Sequence, residues 1–268
     1  MPMEPAFITA NYVASEVGYS LSPFTWAAAD RATQDAFHGP QFATKFDELC
    51  ARVVALGFSN IDIWVAHLNP LRASDAMVDE AVAILAKHRL RVVAYTAGLS
   101  RPEVSLADAQ RIYAVARRIG APLLGVWLHP SNARLAYDLG REYGIKYAIE
   151  NHPEKRPQEL LTTIGDFGEV IGVAQDIGFW PRFGYDAVRA TWDLKDHLLH
   201  MHLKQVKQVG DDWPTCAYDD GVNDIPGVLA VLKQIGYSGA LSIEHEPHDH
   251  DPSDEVARSL ALLKSWLA

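Results

Sequence analysis

Cysteine is scarce: Cys50 and Cys216 are the two in 268 residues, form no CxxC pair and cannot build a disulfide framework. A reducing compartment is the expectation, with both thiols read as ordinary residues. Basic charge is also short, since 24 Lys and Arg against 34 Asp and Glu leave a formal charge of −10. That balance disfavours a nucleic-acid backbone as partner, because such surfaces are usually basic. No apolar run approaches the roughly 20 residues a membrane span needs. The start, Met1-Pro2-Met3-Glu4-Pro5, lacks a basic region followed by an apolar stretch. The expectation is a soluble, cytoplasmic protein with no membrane partner, and association into a homo-oligomer is compatible with it. No Ser/Gly-rich linker, charge block or low-complexity run divides the chain, so residues 1–268 are read as one domain. No G-x-G-x-x-G or P-loop opens an expected helix, which removes the main marks of a dinucleotide or nucleotide cradle.

What the chain has is 49% hydrophobic residues, enough for a large core, and a regular alternation of short apolar runs with helical patterns. Strands are expected at Phe7 to Val13, Asn60 to Trp64, Arg91 to Thr96, Leu123 to Leu128, Lys146 to Asn151, Ile171 to Asp176, Leu198 to Leu203 and Ala240 to Glu244. Helices are expected at Phe42 to Leu56, Asp75 to His88, from Ser105 to before Gly120, at Ala133 to Tyr143, Pro157 to Val170, around Tyr185 to Leu194, at Pro226 to Ile235 and Pro252 to Leu267. Eight strand-then-helix units predict an α/β fold, a single closed (β/α)8 TIM barrel, over an open doubly wound sheet.

Four consecutive strands end on a metal-ligand type: Glu150, Asp176, His202 and Glu244. Side chains alternate along a strand, so the residues two positions earlier, Ala148, Ala174, His200 and Ser242, face the same way, and three of these are small. A barrel brings such ends around one rim, where this fold builds its active sites. Three converging carboxylates repel one another and call for protons or a cation, and a divalent metal satisfies them together. Three oxygen ligands and one imidazole suit Mn²⁺, Mg²⁺ or Co²⁺, with Zn²⁺ admissible. Glu150 to Asp176 and Asp176 to His202 are each 26 positions, one barrel unit, whereas His202 to Glu244 is 42. The excess is Lys204 to Asp224, which shows no periodicity and is read as a lid over the pocket or a plain surface excursion.

The runs Glu150-Asn-His-Pro153, Asp176-Ile-Gly178, His202-Leu-Lys204, Gly221-Val-Asn-Asp-Ile-Pro-Gly227 and Gly236-Tyr-Ser-Gly-Ala-Leu-Ser-Ile-Glu244 resemble the sugar phosphate isomerase/epimerase family, the xylose-isomerase-like TIM barrels. The resemblance is carried from about Lys146 to the end. It implies a divalent cation held by Glu150, Asp176, His202 and Glu244, and a keto-sugar, sugar phosphate or related polyol chelating it through adjacent oxygens. Members often carry a His three residues after the strand-six Asp; Phe179 stands there, followed by Trp180 and Pro181, an apolar wall for a sugar face. A metal on a carbonyl and its neighbouring hydroxyl acidifies the intervening C–H by stabilising an enediolate. By the resemblance, Glu150 and Glu244 double as acid/base groups on opposite substrate faces, giving an isomerase or epimerase of carbohydrate metabolism. A dehydratase of an inosose-like substrate is the alternative, and an endonuclease-IV-like phosphodiesterase, which needs a His at position 179, is disfavoured.

Other residues carry two readings each. His152 contacts substrate or caps a turn, Lys204 holds an oxyanion or is solvated, and Glu246 orients His202 or Lys204 or meets substrate. His200 is read as a hydrogen-bonded core histidine, and Trp64, His67 and His129 as pocket lining or core. The run His245 to Asp251, with three His and two Asp, offers the residues of a second metal site but lacks a fixed ligand spacing, and is read mostly as a solvated loop leading into the last helix.

Overall fold

The computed structural model describes residues 3–268. Its strands are β1 (Glu4–Ile8), β2 (Asn60–Trp64), β3 (Arg91–Thr96), β4 (Leu123–Gly125), β5 (Lys146–Glu150), β6 (Ile171–Asp176), β7 (Leu198–Val206), β8 (Thr215–Cys216) and β9 (Ala240–Glu244). Eight of them pair in parallel, and the ring closes because β6 pairs with β7 as well as β5, while β9 bridges β7 and β1. The helices are α1 (Trp26–Phe37), α2 (Phe42–Ala55), α3 (Asp75–His88), α4 (Leu106–Arg118), α5 (Ala133–Tyr143), α6 (Pro157–Ile164), α7 (Ala187–Asp193), α8 (Ile225–Gln234) and α9 (Ser253–Leu267). This is the closed (β/α)8 barrel expected from the alternation. Among the described residues, no helix is long and apolar enough to cross a membrane.

Local chemistry sets the element ends. The Ser74 hydroxyl accepts the Met77 amide at 3.2 Å to open α3, and the Ser105 hydroxyl accepts the Asp108 amide at 3.0 Å to open α4. Arg117 and Arg118 close α4, where cations favour the exposed carbonyls. Gly144 ends α5 at φ 70, a left-handed position that costs glycine least.

Several boundaries differ from expectation. The first strand stops at Ile8, not Val13, and Thr9–Tyr12 form a 3-10 turn. There, side chains replace ladder partners: Thr9 Oγ1 accepts the Trp64 amide at 2.8 Å and Asn11 Oδ1 accepts the His245 amide at 2.7 Å. The fourth strand ends at Gly125 rather than Leu128. The helix expected to reach Val170 ends at Ile164, because Gly165 turns the chain at φ 46. Helix α1 was not expected; of its residues only Ala29, Thr33 and Phe37 are buried, too thin an apolar stripe to be read from sequence.

The Lys204 to Asp224 stretch is not structureless. Strand β7 runs on past the barrel to Val206, and β8 folds back against it. The Gln205 amide donates to the Asn223 carbonyl at 3.0 Å, and the Tyr218 hydroxyl donates to the Leu203 carbonyl at 2.8 Å. The result is a pinned hairpin, and only Thr215 from β8 reaches the pocket.

Candidate active site

Inside the barrel, Ala94, Ala148 and Ala174 pack with Leu123 in a small apolar cluster. Beside them lies a buried polar group: Asp62 Oδ2 takes the Ser242 hydroxyl at 3.0 Å and pairs with His200 Nε2 at 2.9 Å. His200 is therefore the hydrogen-bonded interior histidine its position suggested, 1% exposed. One layer nearer the carboxyl ends, strand register sets Asp176 beside His202 and Lys204 beside Glu244.

Of these four, Lys204 and Glu244 line a cavity of about 370 Å³, while Asp176 and His202 are buried behind its lining. Its lining combines polar Glu150, His152, Lys204, Glu244 and Glu246 with apolar Ile8, Trp26, Trp64, Val126 and Phe179. Behind Glu150 and Glu244, outside the lining itself, is His202, wholly buried, with Nδ1 2.6 Å from Glu150 Oε1 and 3.3 Å from Glu244 Oε2. Its other nitrogen, Nε2, lies 3.2 Å from Asp62 Oδ2. Ligand-type atoms of Glu150, His202 and Glu244 converge within 4.8 Å of one another. Asp176 stands slightly apart from that trio and groups instead with Glu150 and His152.

The carboxylates are already partly compensated by the chain's own cations. Lys204 Nζ is 3.0 Å from each of Asp176 Oδ2, Glu244 Oε1 and Glu246 Oε2, and the lysine is 3% exposed. Burial alone would drive its ammonium toward the neutral form, but Asp176, Glu244 and Glu246 reverse this and raise its pKa well above the ordinary lysine value. His152 bridges Glu150 Oε2 at 3.4 Å and Asp176 Oδ2 at 3.3 Å. Burial opposes its charge too, yet Glu150 and the hydrogen bond to Asp176 raise it to about 10. Against the desolvation penalty, His152 and His202 pull Glu150 well below the usual carboxylate range, and Lys204 and His152 bring Asp176 to about 2. Glu246 goes the other way: burial outweighs Lys204, the neighbouring Glu244 adds to it, and its carboxyl holds a proton well above the usual range.

The close fit of Lys204 depends on Gly178. A Cβ there would sit 2.7 Å from Lys204 Cδ and Cγ. The Gly178 amide in turn donates to Asp176 Oδ1 at 2.7 Å.

Not every expected residue reaches the cavity. Trp180 is fully buried, packs at 5.9 Å from the Tyr185 ring and offers no face to a ligand. The apolar wall there is Phe179, whose ring centroid lies 3.7 Å from that of His152. His67 is 2% exposed and bound to Thr9 Oγ1 at 3.0 Å, and it does not line the cavity. His129 caps a short turn over Ser131, also outside the lining, whereas Trp64 lines it. Sequence reading passed over Asp62, although an aspartate between two isoleucines in a wholly buried strand is itself a signal of an interior polar partner.

Residues 50–266 match the xylose isomerase-like TIM barrel family, and the chain belongs to it. Of the solved structures it is similar to, a D-tagatose 3-epimerase-like protein gives a TM-score of 0.72 at 16% identity, covering 99% of this chain and 97% of that one. A xylose isomerase-like TIM barrel protein from Mycobacterium smegmatis, solved in complex with magnesium, gives 0.66 at 18% identity over 84% and 90% of the two chains. Both likenesses are of fold. An uncharacterized protein of Methanocaldococcus jannaschii is 28% identical over 139 residues, 48% of this chain and 45% of that protein, so the match spans less than half of that relative.

Proposed function

We propose that the protein is a divalent-metal-dependent isomerase or epimerase acting on a keto-sugar, sugar phosphate or related polyol. The observation that carries this is the convergence of Glu150 and Glu244, both lining the cavity, on His202 Nδ1 at 2.6 and 3.3 Å.

The donor set fits a cation. Glu244 Oε2 is buried with no hydrogen-bond partner, and it faces the nitrogen of His202 that Asp62 leaves free. Glu150, His202 and Glu244 would hold the ion, with Asp176 as the fourth ligand after exchanging part of its contact with Lys204. When bound, such an ion polarises a substrate carbonyl and the adjacent hydroxyl, which acidifies the C–H between them.

The chain's own groups supply the rest. Glu150 and Glu244 each take and return a proton at the substrate carbon, from two sides. Lys204 places a positive charge where an oxyanion or phosphate oxygen of the substrate would lie. Glu246, which keeps its proton, can donate it to an oxygen, and His152 holds Glu150 and Asp176 at a fixed separation. Phe179, Trp64 and Trp26 supply apolar lining that would exclude water from the proton transfer.

A panel of ketoses, aldoses and inososes with added Mn²⁺, followed by NMR in D₂O, tests the reading. Deuterium entering the carbon beside the carbonyl is expected. Net loss of water would make the protein a dehydratase, and neither outcome in any substrate would remove the proposal.

A further inference from the structure

The loop leaving β9 makes a second convergence, outside the cavity lining. His245 Nε2 and His250 Nε2 each lie 2.7 Å from the same atom, Glu255 Oε2, and the three ligand-type atoms are within 4.8 Å of one another. The residues come from three pieces of backbone: the end of the strand, the middle of the loop and the first turn of α9. His245 is 2% exposed, whereas the His250 side chain is 50% exposed, so the cluster has a buried wall and an open side.

A second observation concerns the far side of each ring. His245 Nδ1 meets Thr215 Oγ1 at 3.0 Å, and His250 Nδ1 meets Asp249 Oδ1 at 2.7 Å. Each imidazole is thus held from behind by an oxygen while its Nε2 faces the common point. That is the arrangement in which outer partners fix the orientation and tautomer of a metal-binding histidine. Arg258, one turn along α9, pairs with Asp219 at 3.2 Å, which leaves the Glu255 carboxylate to the two histidines.

We propose that His245, His250 and Glu255 form a second cation site, taking a borderline divalent ion such as zinc with its fourth position open to solvent. Two imidazoles and one carboxylate are a set zinc uses with one position free, and hard oxygen-seeking ions favour it less. From sequence the run reads mostly as a solvated loop, with a second metal site as the lesser reading, and Glu255, contributed by the next helix, lies outside it. Occupancy would tie the loop to α9 and, through Thr215, to the hairpin. The same loop carries Glu246 into the cavity and His248, whose ring stacks on Phe24 with centroids 4.7 Å apart. The ion would therefore stiffen the rim beside the inner residues without touching them.

The site is separable from the inner one. Metal-stripped wild type, the Glu150→Gln/Glu244→Gln variant and the His250→Ala/Glu255→Gln variant are each equilibrated with ZnCl₂, and bound zinc is measured by elemental analysis after dialysis. The inner variant should retain one equivalent, and the outer variant should bind one equivalent fewer than wild type. Co²⁺ titrated into the inner variant should give the intense visible bands of a tetrahedral nitrogen–oxygen site, lost when His250→Ala is added. Zinc binding by the outer variant equal to wild type, or none in the inner variant, overturns the proposal. Should the outer variant fail to fold, the inner variant decides alone.

Discussion

Asp62 Oδ2 lies 3.2 Å from His202 Nε2, and this contact turns the other ring nitrogen of His202 toward Glu150 and Glu244. Asp62 stays ionised despite complete burial, which alone would raise its pKa, because His200 and His202 bring it down to about 2. If His202 is a metal ligand, as proposed, Asp62 is an outer partner of the kind whose loss weakens metal binding roughly 10- to 100-fold. Asp62→Asn is therefore expected to raise the Mn²⁺ dissociation constant by about that factor in calorimetry. His202→Ala should go further and lower the metal content found by elemental analysis; unchanged binding in both would remove His202 as a ligand.

Replacing one acid/base carboxyl leaves shape and packing almost intact. Glu150→Gln or Glu244→Gln should lower kcat by about 10²- to 10⁴-fold, the usual contribution of positioned proton transfer, with a cooperative melting transition preserved. Turnover near wild type in either variant would show that its carboxylate does not move the proton.

Lys204 stands 3.0 Å from each of the carboxylates of Asp176 and Glu244 and the carboxyl of Glu246. Removing one member of a buried ion cluster leaves uncompensated charge, at a cost of about 3–5 kcal/mol. Lys204→Met should lower the stability of the metal-free protein by that order in urea titration. Added Mn²⁺ should restore part of the loss, since the freed carboxylates then have a cation again. A variant as stable as wild type without metal would contradict the role given to the ammonium.

His67 gives a pH dependence away from the candidate active site. Burial, and next to it His38 and Lys45, lower its pKa from 6.5 to about 3, so the folded protein keeps this ring neutral while the unfolded chain protonates it near 6.5. Its stability contribution is full above pH 6.5 and is lost progressively as pH falls toward 3, at about 1.4 kcal/mol per unit. Urea titrations at pH 7, 6 and 5 should show about half that slope from 7 to 6 and nearly all of it from 6 to 5, and His67→Gln should flatten it. An equal slope in both would assign the acid sensitivity elsewhere.

The barrel was legible because its signals are local. The bounds of α3, β3, α5, β6 and β9 follow from capping serines, β-branched runs and terminal glycines that each segment carries itself. Glu150, Asp176, His202 and Glu244 were legible as strand ends of one rim. What was hidden depends on partners distant in sequence. Thr9 and Asn11 bond to Trp64 and His245, which ends the first strand early. Trp180 turned inward although Phe179 beside it did not, because the chain curls into a short turn there. The capture of three carboxyl groups by Lys204, and the pairing of His250 with Glu255, are likewise set by packing and by no spacing rule.

A missing methyl group at Gly178 governs how far the site quenches its own charge. Because nothing projects from that backbone, the stem of Lys204 lies flat and its ammonium sits among the acids like a built-in counterion. A side chain at 178 would push the stem away and leave the acids more demanding of an outside ion. One substitution at a residue that performs no chemistry would thus act as a dial between a pocket that tolerates metal starvation and one that depends on supply.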